Sequence, residues 1–233
     1  MPRHLVLVLG DQLDPASAAF DGFDRDRDRV WMAEVAQEST HVWTHKARIA
    51  VFLAAMRHFR DGLLAAGIDV DYTALAARPA ADEPATLAAA LEASLASARR
   101  AGTPPERLIV VEPGEWRVRE ALVAAAAEAG IPLDIRPDRH FFSSPEDFAA
   151  HARGRKQLRL EYFYRPLREK FDVLMDGGEP AGGQWNYDAE NRGAFPKSGP
   201  GTLPPPRRFP PDAVTRGVLD LVDARMGGEP GID

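Results

Sequence analysis

The sequence predicts an α/β protein: a doubly wound, five-stranded parallel sheet followed by a C-terminal helical and linker extension. Three patterns carry that expectation. Along residues 1–140, short apolar runs alternate with stretches whose apolar residues recur every three or four positions, in the order strand, helix, strand, helix. The strand-like runs are also continuously apolar, as strands covered by helices on both faces must be. After residue 177 the composition turns to Gly and Pro, in GGEPAGG, PKSGPG and LPPPRRFPPD, which marks a linker or extended arm.

Each element follows in order. Residues 5–9 (LVLVL) make the first strand, ended by Gly10 and Asp11, and residues 30–35 the second, ending near Glu34. Between 45 and 66, Ile49, Phe52, Leu53, Met56, Phe59, Leu63 and Leu64 keep the spacing of one buried helix face, and Gly67 can end it in a left-handed turn. A third strand covers 70–73, an Ala-rich helix 86–101, and a fourth strand 108–111 before Glu112, Pro113 and Gly114. A helix at 116–129 stops at Gly130, and a fifth strand spans 133–135. Right-handed crossovers then give the strand order 3-2-1-4-5. Beyond lie a short helix at 145–152, a basic helix with an apolar stripe of Leu160, Phe163, Leu167, Phe171 and Leu174, and a last helix at 212–226. The expected division is an α/β domain at 1–140, a helical extension at 141–176 and a linker at 177–233.

A chain of 233 residues accommodates one α/β domain of roughly 150 residues plus such an extension. Cysteine is absent, which excludes disulfides, Cys-ligated zinc and iron–sulfur ligation by this chain. No stretch has the length of a signal peptide core or a membrane span, so a cytoplasmic monomer without membrane attachment is expected. The net charge of −6 is unevenly spread. Residues 151–170 carry seven cations against Glu161 and Glu169, which sets that stretch at +5 and the remainder, by difference, at −11. A cationic patch sits on an anionic body.

In a doubly wound sheet the ligand crevice lies beyond the carboxyl ends of the strands. Gly10, Asp11 and Gln12 follow the first strand, Glu34, Gln37 and Glu38 the second, and Glu112 the fourth. No Gly-x-Gly-x-x-Gly or P-loop pattern occupies the first turn, so a pyrophosphate cradle is not indicated. Carboxylates and amides suit a ligand that offers hydroxyls and ring N–H groups. His41 and His45 have the spacing of a shared metal site on a helix, but no acidic partner accompanies them, and Thr44 can cap the helix and leave His41 outside it. No metal site is assigned, and His45 is expected as a crevice contact or a first-turn side chain. Ser39, Ser143 and Ser144 lie in no nucleophile elbow, and no catalytic residue is assigned. A different class of reading is a stand-alone nucleotide-binding α/β enzyme that uses Asp11, Glu34 and Glu112 as acids, bases or metal ligands.

The basic helix offers arginines for phosphates, among them Arg155 and Arg159, with Tyr162, Phe163 and Tyr164 for stacking or packing. The loop at 182–192 adds Trp185, Tyr187, Asn191 and Arg192, a density of specific side chains that a connector does not need.

Six blocks, in this order, resemble one family: LVLGDQLD, ESTHVWTHKARIAVFLAAMRHF, VVEPGEWRVRE, DRHFFSS, RKQLRLEYFYRPLRE and GGQWNYDAENR. The likeness is to the deoxyribodipyrimidine photolyase-related family of bacterial cryptochrome/photolyase proteins, including iron–sulfur (6-4) photolyases. The resemblance implies a Rossmann-like N-terminal domain that binds a lumazine-type antenna chromophore, followed by a helical domain that holds FAD and a [4Fe–4S] cluster. Carried over by position, Gly10, Asp11, Gln12, Leu13, Glu38, His41 and Phe52 would surround the chromophore, with Glu34 and His45 beside them. The loop at 182–192 would approach DNA, with Arg155, Arg159, Trp185, Asn191 and Arg192 in contact. The sequence ends at Asp233, where the helical domain of the family should begin. The expectation is therefore an N-terminal portion that works with the helical FAD domain, in the same or a separate chain, and does not repair DNA alone.

Overall fold

The computed structural model describes residues 3–189 and 191–226. Two compact units emerge, one running up to Asp138 and resuming at Pro210, the other spanning Arg139–Phe209.

The first unit is built on β1 (His4–Leu7), β2 (Asp28–Ala33), β3 (Val70–Thr73), β4 (Arg107–Val111) and β5 (Leu133–Arg136). All pair in parallel, in the order β3-β2-β1-β4-β5. Continuous apolar runs give this result because successive side chains point to opposite faces, and both faces are covered. Leu5, Leu7, Trp31, Ala33, Leu108 and Val110 face one core. Their neighbours Val6, Val8, Val30, Met32, Ile109 and Val111 face the other.

Helices α1 (Ala36–Thr40), α2 (Lys46–Ala65), α3 (Leu87–Arg100) and α4 (Trp116–Ala129) complete the layers. Leu91, Leu95, Leu122 and Ala125 of α3 and α4 seal the first face, and Met56 and Leu63 of α2 the second. Gly67 ends α2 as expected, at φ +74°, where the Ile68 N–H returns to the Leu63 carbonyl at 3.0 Å. The second strand starts earlier than the apolar pattern shows, because the buried Asp28 is held by Arg3 Nε (3.0 Å), the His4 N–H (3.1 Å) and the Asp24 N–H (2.9 Å). The five-residue α1 was not expected.

α2 is buried on two sides. Its Ile49, Ala50, Leu53 and Ala54 pack with Val218, Leu221 and Val222 of α7 (Ala213–Arg225). Arg225 locks the pairing, donating to the Glu83 carboxylate at 2.7 and 2.9 Å and to the Ala76 carbonyl at 3.0 Å. Residues 210–226, expected within the 177–233 linker, thus contribute a helix to the α/β core.

The second unit holds α5 (Pro145–Ala152), α6 (Leu160–Phe171) and a two-residue hairpin of β6 (Met175–Asp176) and β7 (Glu179–Pro180). Ser144 and Asp147 form a reciprocal capping box at the start of α5, with Pro145 in the first turn. Phe163 packs edge-on against Phe148 with ring centres 5.2 Å apart, and Phe171 meets Phe142 at 5.1 Å. Leu160 and Leu174, at the ends of the expected stripe, are 77% and 68% exposed.

Candidate functional site

A crevice of about 370 Å³ opens at the carboxyl ends of β1, β2 and β4. Leu9, Ile49, Leu53, Met56 and Val118 supply apolar lining; Asp11, Glu38, His41, Arg48, Glu115 and Arg117 supply the polar groups. This volume and this mixture lie within the range of small-molecule sites.

The first turn brings Gly10 and Asp11 into the wall. A Cβ on Gly10 would stand 3.0 Å from Met56 Sδ, so the chain passes close to α2 there. Asp11 keeps part of its surface in solvent, yet burial of its carboxyl raises its pKa above the ordinary value, and the charges of Glu115, Asp138 and Glu38 act in the same direction. Its Oδ2 lies 3.6 Å from where a Cβ on Gly114 would be.

α1 carries Glu38 and ends at His41, and both line the crevice. Arg117, in the first turn of α4, reaches across to Glu38 at 3.0 Å, to Glu115 at 3.0 Å and to Gln37 at 3.4 Å. The Glu38 hydrogen bond raises its pKa most. Arg117 Nε is buried with no partner among the described residues. On α2, the Arg48 guanidinium lies 5.5 Å over the Phe52 ring.

Gly10, Asp11, Glu38, His41 and Phe52 of the expected set thus line one crevice. The other four, of which Glu34 alone also lines the crevice, serve the fold. Gln12 donates its side-chain amide to the Val111 and Glu112 carbonyls (3.2 and 3.1 Å), tying the first turn to β4. Leu13 packs into the second core. His45 Nδ1 accepts from the Ala47 N–H at 3.1 Å and caps α2, so His41 and His45 share no helix face. Glu34 lines the crevice, but its carboxylate is saturated. Arg57 donates at 2.7 and 2.8 Å, the Tyr72 hydroxyl at 2.5 Å and the Leu75 N–H at 2.9 Å. Burial and this carboxylate push the Tyr72 hydroxyl far up, so it stays a donor. Glu112 is outside the crevice and pairs with Arg119 at 3.0 Å. Of the three carboxylates of the nucleotide-enzyme reading, Asp11 and Glu34 line the crevice and Glu112 does not.

In the second unit, the Trp185 indole lies 5.2 Å from the guanidinium carbons of both Arg165 and Arg168, and its carbonyl accepts from the Tyr164 hydroxyl at 2.8 Å. It is half-buried against its own unit, not presented freely. Tyr187 lies over Gly182, whose φ of +76° and contact with the phenol leave no room for a side chain. Arg155 donates to the His151 carbonyl at 2.7 Å. Arg159 precedes α6, and Arg159, Asn191 and Arg192 are exposed.

The sequence matches the deoxyribodipyrimidine photo-lyase-related protein family over residues 6–232. It belongs to that family. A (6-4) photolyase of Agrobacterium fabrum is 42% identical over 221 residues, which cover 94% of this chain and 41% of that protein. The chain therefore spans less than half the length of this relative. An uncharacterized protein of Acanthamoeba polyphaga mimivirus is 53% identical over 34 residues, 15% of this chain and 17% of that one. Among the described residues no helix is long and apolar enough to cross a membrane.

Proposed function

We propose that this chain is the antenna portion of a cytoplasmic, light-driven DNA-repair flavoprotein. Its α/β unit binds a lumazine-type chromophore in the strand-end crevice. Its second unit offers a surface to DNA and to a helical, flavin-bearing portion. The observation that carries the reading is the crevice itself, a partly apolar lining with carboxylates, a histidine and arginines beside it. A ribityl-lumazine would lay its heterocycle along Ile49, Phe52, Leu53 and Met56, and its hydroxyls and ring N–H would meet Asp11 and Glu38. Such a group supplies light absorption; the residues of this chain hold it, orient it and exclude water.

FAD and a [4Fe–4S] cluster belong, in this reading, to the complete protein, since no cysteine here could hold a cluster. Excitation of reduced flavin and electron donation to a pyrimidine photoproduct would then require that other portion. Toward DNA, Arg155, Arg159, Asn191 and Arg192 are exposed and suited to phosphates. Trp185 supports the loop that carries Asn191 and Arg192, held by Arg165 and Arg168.

Titration of the chain with a ribityl-lumazine, read by absorbance and fluorescence, tests the reading. Saturable binding is expected. Phe52→Trp, which fills the crevice, should weaken it at least tenfold, about 1.4 kcal/mol. An absence of binding, or binding indifferent to Phe52→Trp, would contradict the proposal.

A further inference from the structure

Five residues, 41–45, join α1 to α2, and the first four, His41, Val42, Trp43 and Thr44, line the crevice. Yet Val42 is 70% exposed and Trp43 74%. The other tryptophans are accounted for. Trp31 is buried in the core, Trp116 stacks with Arg119 at 5.3 Å, and Trp185 lies against two arginines. Among the described residues Trp43 is the exposed tryptophan with neither a ring partner nor a hydrogen bond. A large indole left in water at the lip of a partly apolar crevice is a surface in need of a cover.

The bridge is pinned at both ends and free between them. The His41 N–H bonds the Gln37 carbonyl at 2.7 Å, and His45 caps α2 through the Ala47 N–H at 3.1 Å. Val42, Trp43 and Thr44 make no main-chain hydrogen bond among the described residues. These three can therefore change their backbone angles without breaking a helix or a ladder, the behaviour of a hinged loop. The facing side of the crevice is not free in this way: Arg48 and Phe52 are fixed on the long α2.

We infer that Trp43 is a ligand-covering residue: the Val42–Trp43–Thr44 bridge folds over a flat heterocycle in the crevice and lays the indole on it. This rests on the crevice binding such a ligand, as proposed above. Closure removes indole and ligand surface from water together, so its effect falls on release more than on entry. Arg117 would not need to move, because its partners Glu38 and Glu115 lie on elements outside the bridge.

The test is stopped-flow dissociation of a ribityl-lumazine from the chain and from Trp43→Ala and Trp43→Phe. Trp43→Ala should release the ligand at least tenfold faster, with the association rate within about threefold, and Trp43→Phe should retain most of the residence time. The thermal midpoint should be unchanged in both, since the side chain is exposed. Dissociation of Trp43→Ala within twofold of the parent overturns the covering role while leaving the crevice reading intact. No binding by the unsubstituted chain overturns both.

Discussion

The two units differ in how they place their apolar residues. In the α/β unit, the side chains of β1, β2 and β4 alternate between two sealed cores, and of its two buried acids, Asp28 and Glu34, the latter has every acceptor filled. In the second unit Pro180 is the single described residue that is fully buried, while Phe142, Leu160 and Leu174 remain mostly in solvent. Its order comes from caps, aromatic pairs and arginines gathered on carbonyls, such as Arg168 on Val173, Leu174 and Trp185. Hydrogen bonds of that exposed kind contribute about 1 kcal/mol each, against about 25 cal/mol per Å² for buried apolar surface. The first unit seals two cores and bears the crevice. The second leaves Phe142, Leu160 and Leu174 exposed.

The sharpest way to break this comparison is to damage equivalent features in each unit. Glu34→Ala should remove about 3–5 kcal/mol from unfolding in urea, because it leaves the half-buried Arg57 guanidinium, the Tyr72 hydroxyl and the Leu75 N–H without their shared carboxylate. Leu122→Ala should cost about 2–5 kcal/mol in the same assay. Phe163→Ala, the corresponding truncation in the second unit, should cost under about 1 kcal/mol, since its ring is only half covered. Equal losses for Leu122→Ala and Phe163→Ala would erase the distinction.

A smaller effect sharpens the site. Folding raises the Asp11 pKa, chiefly by burial, so the folded state keeps the Asp11 proton to higher pH than the unfolded chain does. Below the ordinary value of 3.8 both states are protonated and the group is neutral in its effect; as pH rises through that value, ionisation weighs against folding. Asp11→Asn should therefore be more stable than the parent at neutral pH, with the gain fading as the pH falls below 3.8. Denaturant midpoints across that range check it, and a gain that grows on acidification would refute it. The smallest effect concerns the second unit: neutralising Arg155, Arg159 and Arg192 should lower the salt dependence of duplex binding by about 0.9 in log–log slope for each phosphate that is no longer neutralised.

The fold was legible because five continuous apolar runs separated by helix-period stretches admit one economical parallel arrangement, and β1 to β5 follow it. What escaped was local polar chemistry: Asp28 extends β2 through hydrogen bonds to residues as far away as Arg3, and α1 is too short for its periodicity to register. At the crevice, Gly10, Asp11 and Glu38 were readable as residues that follow strand ends. The direction of a side chain was not. Gln12 turns to β4, His45 to its own helix and Glu34 to Arg57, each for a partner that only the folded chain reveals. Arg117 was missed for the same reason. Its partner Glu38 is 79 residues away, and its one sequence signal was a place in the VVEPGEWRVRE block. α7 could be drawn as a helix, but not as a third layer on α2, because a Pro-rich stretch precedes it.

Amide hydrogen exchange, followed by mass spectrometry with and without a ribityl-lumazine, tests both halves of the account at once. The amides of β1, β2 and β4 should exchange slowest and those of α5 and α6 close to unprotected rates, with ligand-induced slowing confined to residues 38–52 and 113–118. Protection of α5 and α6 equal to that of the sheet, or slowing that bypasses those two segments, would contradict it.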